Sequence, residues 1–323
     1  MKACMVAYTL YEMDNRVRRY AEALAERGDD VDVYVLGKPG QPRQGVLNGV
    51  RIHRIQTRVR NEKKPLTYLA KLLLFLLRSS LVLAKKSFRE RYDVIHVHSV
   101  PDFEVFAALV PKWMGSKIIL DIHDIVPEFY ASKFRTGRDS LVFKTLVLME
   151  KLSIAFSDHA IIANHLWYET LTSRSVVPGK CTVVMNYPDI SIFRRSGRTR
   201  DDGKFVTKPL QEIAAVMAEA DAGIVPKRAV SFGNEAFSTK IPEFMAVGVP
   251  IIASSTMIDR YYFNDSQILF FKSEDVDDLA SKMGMLIEDA ELRSRLVENG
   301  DAYIRENNWD VKRNEYFELI RSL

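Results

Sequence analysis

Residues 1–37, MKACMVAYTLYEMDNRVRRYAEALAERGDDVDVYVLG, carry the pattern that decides the fold. Ala3 to Ala7 is a short apolar run of strand length. Val17, Tyr20, Ala21 and Leu24 repeat at the spacing of one helix face, which predicts a helix from about Val17 to Arg27 stopped by Gly28. Asp14, Asn15 and Arg16 fall in the loop before it, and Val31, Val33, Val35 and Leu36 make the next strand. Strand, helix and strand within roughly thirty residues form a βαβ unit, whose crossover is right-handed.

Outward from this unit the pattern repeats. DVIHVH (93–98), KIILDI (117–122), Ala160 to Ala163 and Thr182 to Met185 read as strands, with helices at Phe103 to Lys112 and Leu141 to Phe156. Apolar strands alternating with helices point to a parallel sheet covered on both faces. After Asn186-Tyr187-Pro188-Asp189, the arginine-rich run Arg194 to Lys204 reads as a linker. A second lobe follows. Helices are expected at Leu210 to Glu219, Thr239 to Ala246 and Val276 to Asp289, and strands at Gly223 to Val225, Val249 to Ser254 and Ile268 to Phe271. Asp310 to Leu323 closes the chain as an amphipathic helix. The expected fold class is α/β with two Rossmann-like doubly wound domains: residues 1–187 joined by helix 310–323, and a shorter domain at 188–309.

Composition bounds the function classes. The 323 residues are 47% hydrophobic and 27% charged, the balance of a globular protein with real cores rather than a disordered or collagen-like chain. Cys4 and Cys181 stand far apart, which argues against a disulfide framework or a zinc cage and fits a reducing cytosol. No signal peptide is expected, because the first apolar run leads directly into charged sequence. Residues 1–185 hold 28 Lys and Arg against 19 Asp and Glu, and the rest 18 against 23, so a basic half precedes an acidic one. The basic residues come without a helix-turn-helix, RNA-binding or zinc-finger pattern, and nucleic acid is not an expected partner. His96 and His98 alternate on a strand without metal partners at helical spacing, and no metal is expected.

YLAKLLLFLLRSSLVL (68–83) is the greasiest stretch. Lys71 and Arg78 interrupt it, which argues against a membrane span. Arg58, Arg60, Lys63, Lys64, Lys85, Lys86, Arg89 and Arg91 surround it. Two readings stay open: a helix buried against the sheet with a solvated basic rim, or a helix lying on an anionic membrane surface.

The chemistry concentrates in residues 225–250, VPKRAVSFGNEAFSTKIPEFMAVGVP. With Glu235 in a loop and Glu243 in the helix after it, the carboxylates are too far apart to share a proton and would hold two parts of an elongated ligand. Ser238 or Thr239 is placed to cap the helix, with Pro242 in its first turn. The turn's amides, with Lys240 beside them, would suit a diphosphate, and Glu243 would suit the vicinal hydroxyls of a ribose.

The Glu235–Glu243 spacing followed by Met245-Ala246-Val247-Gly248-Val249-Pro250 resembles the donor-site signature of family 4 glycosyltransferases, retaining enzymes of the GT-B fold. Asp14 to Arg19 before AEALAERG resembles the first loop and helix of that family's amino-terminal lobe. Asp121-Ile122-His123-Asp124 with Pro127-Glu128 resembles its HD-x-x-PE segment. Asn186 to Phe193 resembles the interdomain crossover, and the helix from Asp310 the one that packs back on the first lobe. The resemblance implies a nucleotide-sugar donor such as a UDP- or GDP-sugar, a glycan or lipid-linked acceptor, no metal, and an active site in the cleft between lobes. It implies that Glu243 binds the ribose, that Glu235 binds the transferred sugar, and that Phe237, Ser238, Thr239 and Lys240 line the diphosphate. His123 would face the reacting sugar with Asp124 nearby, and Asn15 and Arg16 would sit near the acceptor. A cytoplasmic enzyme is the expected setting, and the membrane reading of residues 68–83 leaves open a peripheral place at the inner face of the membrane.

The sequence departs from the family in two places. Tyr8 to Met13 replaces the usual glycine-rich first loop. Lys204-Phe205-Val206 runs straight into Thr207-Lys208-Pro209-Leu210, where the family has about two further βα units and the basic residues that grip the diphosphate. Two rival functions remain: an impaired scaffold or binding protein on the same fold, and a sugar-nucleotide epimerase.

Overall fold

The opening strand outruns its apolar core as β1 (Lys2–Leu10), followed by α1 (Asn15–Glu26) and β2 (Asp30–Gly37). The computed structural model describes residues 1–58, 65–195, 210–230 and 232–323. β1 and β2 pair in parallel, from Lys2 opposite Asp30 to Leu10 opposite Leu36. Next comes a hairpin that the periodicity does not reveal, β3 (Gln44–Leu47) and β4 (Val50–Thr57). Its signal is the turn: Asn48 and Gly49 adopt φ of 49° and 79°, the pair of positive values that a two-residue type I′ turn requires.

The chain continues through α2 (Pro65–Ser87), β5 (Val94–His98), a 3-10 turn (Asp102–Ala108), α3 (Leu109–Trp113) and β6 (Lys117–Ile122). Then follow α4 (Val126–Phe134), α5 (Leu141–Phe156), β7 (His159–Ile162), α6 (His165–Arg174) and β8 (Cys181–Val183). The single helix expected over Phe103 to Lys112 is split in two. Pro111 has no amide to bond back to the Ala107 carbonyl, so it is accommodated in the first turn of a new helix, α3, and not inside one that began at Phe103. All these strands form one sheet of order β3-β4-β2-β1-β5-β6-β7-β8, parallel except at the hairpin. β5 is buried at every residue and β6 at all but Lys117, because helices cover both faces. The order reverses between β1 and β5. Right-handed crossovers therefore put α1 on one face and α2, α3, α5 and α6 on the other.

α2 settles the two readings of the greasy stretch unevenly. Leu72, Phe75, Ser79 and Leu83 are buried, and Phe75 meets Tyr8 edge-on at 5.3 Å. Leu69, Leu73, Leu77 and Leu81 are exposed. The buried reading therefore holds for one stripe only. By length and composition alone, Thr67–Ser87 is apolar enough to cross a membrane.

The second set of elements comprises α7 (Leu210–Glu219), β9 (Gly223–Val225), α8 (Phe232–Glu235), α9 (Lys240–Ala246), β10 (Ile251–Ser254) and α10 (Met257–Tyr262). It ends with β11 (Leu269–Phe271), α11 (Val276–Glu288), α12 (Ala290–Glu306) and α13 (Trp309–Ser322). Its parallel sheet has the order β11-β10-β9, so among the described residues β9 is an edge. Val225, Ile241, Met245, Ile251 and Phe263 form the core beneath it. The Lys204-Phe205-Val206 and Thr207 junction lies outside the described residues. The chain divides into two units, Met1–Val184 with Ile320–Leu323, and Met185–Leu319.

Candidate active site

In the first unit, polar side chains gather on Asp121, the penultimate residue of β6. Asp14 caps α1, its Oδ1 accepting from the Val17 amide at 3.2 Å. The helix thus starts at Asn15, two residues before its apolar face becomes visible in the sequence. Asn15 and Arg16 are therefore not loop residues: Asn15 is half-buried in the first turn and Arg16 is buried. Arg16 Nε donates to Asp121 Oδ2 at 2.8 Å and Nη2 to Oδ1 at 2.6 Å. This fork matches the planar guanidinium to both carboxylate oxygens.

Two histidines complete the cluster. Asp121 Oδ2 lies 3.1 Å from His98 Nδ1 and 3.1 Å from His123 Nε2, and those nitrogens are 3.2 Å apart. His98 ends β5 and His123 follows β6, so the sheet's own register brings them together. Burial alone would push the Asp121 carboxyl up, but the Arg16 guanidinium reverses this and holds it well below the usual carboxylate range. Burial lowers His98 to about 3, so its ring is neutral. His123 turns Nε2 to Asp121, and its side chain keeps 22% exposure. Asp124, half-buried beside it, has its carboxyl raised by burial.

Among the described residues, His96, His98 and Asp121 are the group that could hold a metal, with ligand atoms within 4.8 Å of one another. Arg16 already supplies the cation there. A divalent ion on the same oxygens would face the guanidinium at short range, so the donor set fits a metal poorly. Glu128 of the HD-x-x-PE segment has a structural role. It accepts from Arg174 at 2.5 and 2.9 Å, and Arg174 also reaches the buried Glu150.

In the second unit, Glu235, Phe237, Ser238 and Thr239 lie on the connection from β9 to α9, and Lys240 and Glu243 lie at the start of α9. Glu235 ends α8 and Glu243 lies in the first turn of α9, both half-buried. Because α9 returns antiparallel to β9, this segment stands at the carboxyl end of the sheet, where open α/β folds bind ligands. The expected side-chain cap does not form. Thr239 has helical angles (φ −61°, ψ −23°) and makes no capping bond. Backbone bonds close the turn instead, Ile241 amide to Ser238 carbonyl and Glu243 amide to Thr239 carbonyl, each 3.2 Å. Those two amides are spent, and Pro242 has none. The anion site expected of this turn is left with fewer donors, beside the exposed Lys240. The Phe237 ring packs on Tyr262 at 5.2 Å and Phe263 at 6.1 Å, and so belongs to the core as much as to a ligand.

Residues the sequence reading passed over hold this end together. Lys227 Nζ sits 2.7 Å from the buried Asp259 and donates to the Ala236 carbonyl at 2.9 Å. Burial pulls Lys227 down and Asp259 up, and each opposes the other's shift. The Lys227 amide donates to Ser254 Oγ at 2.7 Å, Ser273 Oγ to the Lys227 carbonyl at 2.8 Å, and the Met257 amide to Asn234 Oδ1 at 2.8 Å. The loops after β9, β10 and β11 are thereby joined. The available signal was Pro226-Lys227 directly after a strand.

The pattern of the glycosyl transferase 4-like domain matches residues 13–187. The chain belongs to the glycosyl transferase 4-like family. A second pattern, glycosyl transferases group 1, matches residues 202–303, and the protein is a glycosyltransferase with a GT-B fold. Among solved structures, sucrose-phosphate synthase from Thermosynechococcus elongatus superposes with a TM-score of 0.79 at 16% identity, covering 99% of this chain and 98% of its own. Anabaena HepE in complex with UDP and glucose gives 0.69 at 13%, covering 100% of both chains. The catalytic domain of starch synthase IV from Arabidopsis thaliana, bound to ADP and acarbose, gives 0.64 at 13%, covering 99% and 98%. At these identities the likeness extends to the fold. No curated relative matches the chain.

Proposed function

We propose that this glycosyltransferase moves a sugar from a nucleoside-diphosphate sugar to a glycan or lipid-linked acceptor, with retention at the anomeric carbon and without a metal. The observation that carries this reading is the placement of Glu235 and Glu243 together at the carboxyl end of β9, on a connection anchored by Lys227 and Asp259. Glu243 binds the ribose hydroxyls, whose pair of donors suits one carboxylate. Glu235 holds the hydroxyls of the sugar being transferred. Lys240 and the remaining amides around Ser238 and Thr239 stabilise the departing diphosphate, the charge that develops in the transition state. In the first unit, His123 donates or accepts through Nδ1 at the reacting sugar, held in orientation by Asp121. The UDP, glucose and ADP in the structures of HepE and starch synthase IV support a nucleoside-diphosphate donor.

The test is kinetic. With UDP-, ADP- and GDP-sugars offered in turn, Glu243→Ala is expected to raise the donor KM about tenfold or more, the loss of one charge-assisted bidentate contact. Glu235→Ala is expected to act mainly on kcat. Unchanged constants in both variants would remove the assignment. Product anomeric configuration, read by NMR, decides retention against inversion.

A further inference from the structure

α2 carries leucines on its outer as well as its inner side, yet the core of the first unit takes only one stripe of it. Leu69, Leu73, Leu77 and Leu81 recur every fourth residue on the outer side, a ridge about 18 Å long at 1.5 Å per residue. Leu77 is 56% exposed and Leu81 61%. α3, packed against α2, adds Trp113 at 79% exposure. α5 packs on the 3-10 turn that α2 also packs on, and its outer face carries Lys144, Leu148, Lys151 and Leu152, all exposed. The crossovers place all three helices on the same face of the sheet.

Charge decides what covers this surface. The one carboxylate within α2 and α5 is Glu150, which is buried and paired with Arg174 at 2.7 Å. The exposed charges on these helices are cations, among them Lys85, Lys144 and Lys151. A second copy docked by a two-fold axis would set such cations against one another with no acid between them.

We propose that the outer faces of α2, α3 and α5 form a docking surface for an anionic lipid bilayer, on which α2 lies in the plane of the interface. The leucine ridge enters the boundary between headgroups and chains, the Trp113 indole sits at headgroup depth, and the lysines meet lipid phosphates. α2 does not span. Leu72, Phe75 and Leu83 hold it in the core of the first unit, and withdrawing it would expose that core. This surface is independent of the donor site proposed above.

The experiment uses the full chain and vesicles of phosphatidylcholine, with or without phosphatidylglycerol, at about 0.1 M salt. Flotation with the anionic vesicles is expected to exceed that with neutral ones about tenfold or more. The double variant Leu77→Ser, Leu81→Ser is expected to lose about tenfold of this binding while its thermal unfolding stays in place, both residues being exposed. Of the three tryptophans, Trp167 and Trp309 are buried, so Trp113 alone is poised to respond. Its emission is expected to shift to the blue on anionic vesicles and to be quenched by brominated chains, and Trp113→Phe is expected to abolish both signals. Absence of flotation, indifference to lipid charge, or undiminished binding by the leucine variant would overturn the proposal. A chain that dimerises and leaves vesicles alone would overturn it too.

Discussion

Asp121 accepts from Arg16 through both oxygens, and neither side chain has solvent to fall back on. Asp121→Ala would leave a guanidinium buried without its counter-charge, and is expected to cost about 3–5 kcal/mol in urea unfolding. Glu104 is a second buried acid with the opposite bias. Burial raises it to about 8, against a hydrogen bond from Ser79. Between the ordinary glutamate range and that value, the folded chain keeps a proton that the unfolded chain has released. Stability is therefore expected to fall as pH rises through this window, and Glu104→Gln should flatten the decline. Melting temperatures measured across the window check this, and an identical slope in the variant would contradict it. The Asp121 cluster was invisible to any local pattern, since Arg16 and Asp121 lie 105 positions apart and meet only through the sheet. Glu235 and Glu243 could be singled out in the sequence because they lie on one short stretch with a distinctive run behind it.

At the scale of elements, strong periodicity translated directly into structure: β2, β5, β6, α5, α7 and α11 stand within a residue or two of where the apolar pattern put them. Several elements that escaped, or began elsewhere, are governed by ends rather than faces. α1 begins early because Asp14 caps it, the β3–β4 hairpin is set by Asn48-Gly49, and α10 is a six-residue helix started by the Thr256 cap. Such signals occupy one or two residues, and a search for repeating apolar positions passes over them. Packing beneath the β9–α9 connection, the proposed donor site, gives a prediction of its own. A Cβ on Gly223 would come within 2.6 Å of the Phe244 ring, which holds α9 against β9. Gly223→Ala is expected to destabilise by about 1–3 kcal/mol and to weaken donor binding with it, read as a shifted urea midpoint and a raised donor Kd.

Over the whole molecule, the first unit presents cations and leucines on one face of its sheet, and the second carries the paired glutamates at the carboxyl end of another. The basic first half and acidic second half of the sequence foreshadow this distribution of charge, whereas the exposure of the α2 ridge was not legible, because an apolar run reads the same whether covered or bare. The most direct measurement is calorimetric titration of the full chain with UDP-, ADP- and GDP-sugars, repeated on Glu243→Ala. One donor is expected to bind the native chain, with affinity lost about tenfold or more in the variant and its unfolding midpoint unmoved. A native chain that takes up none of the three, or a variant that binds as tightly as the native chain, would contradict the donor site.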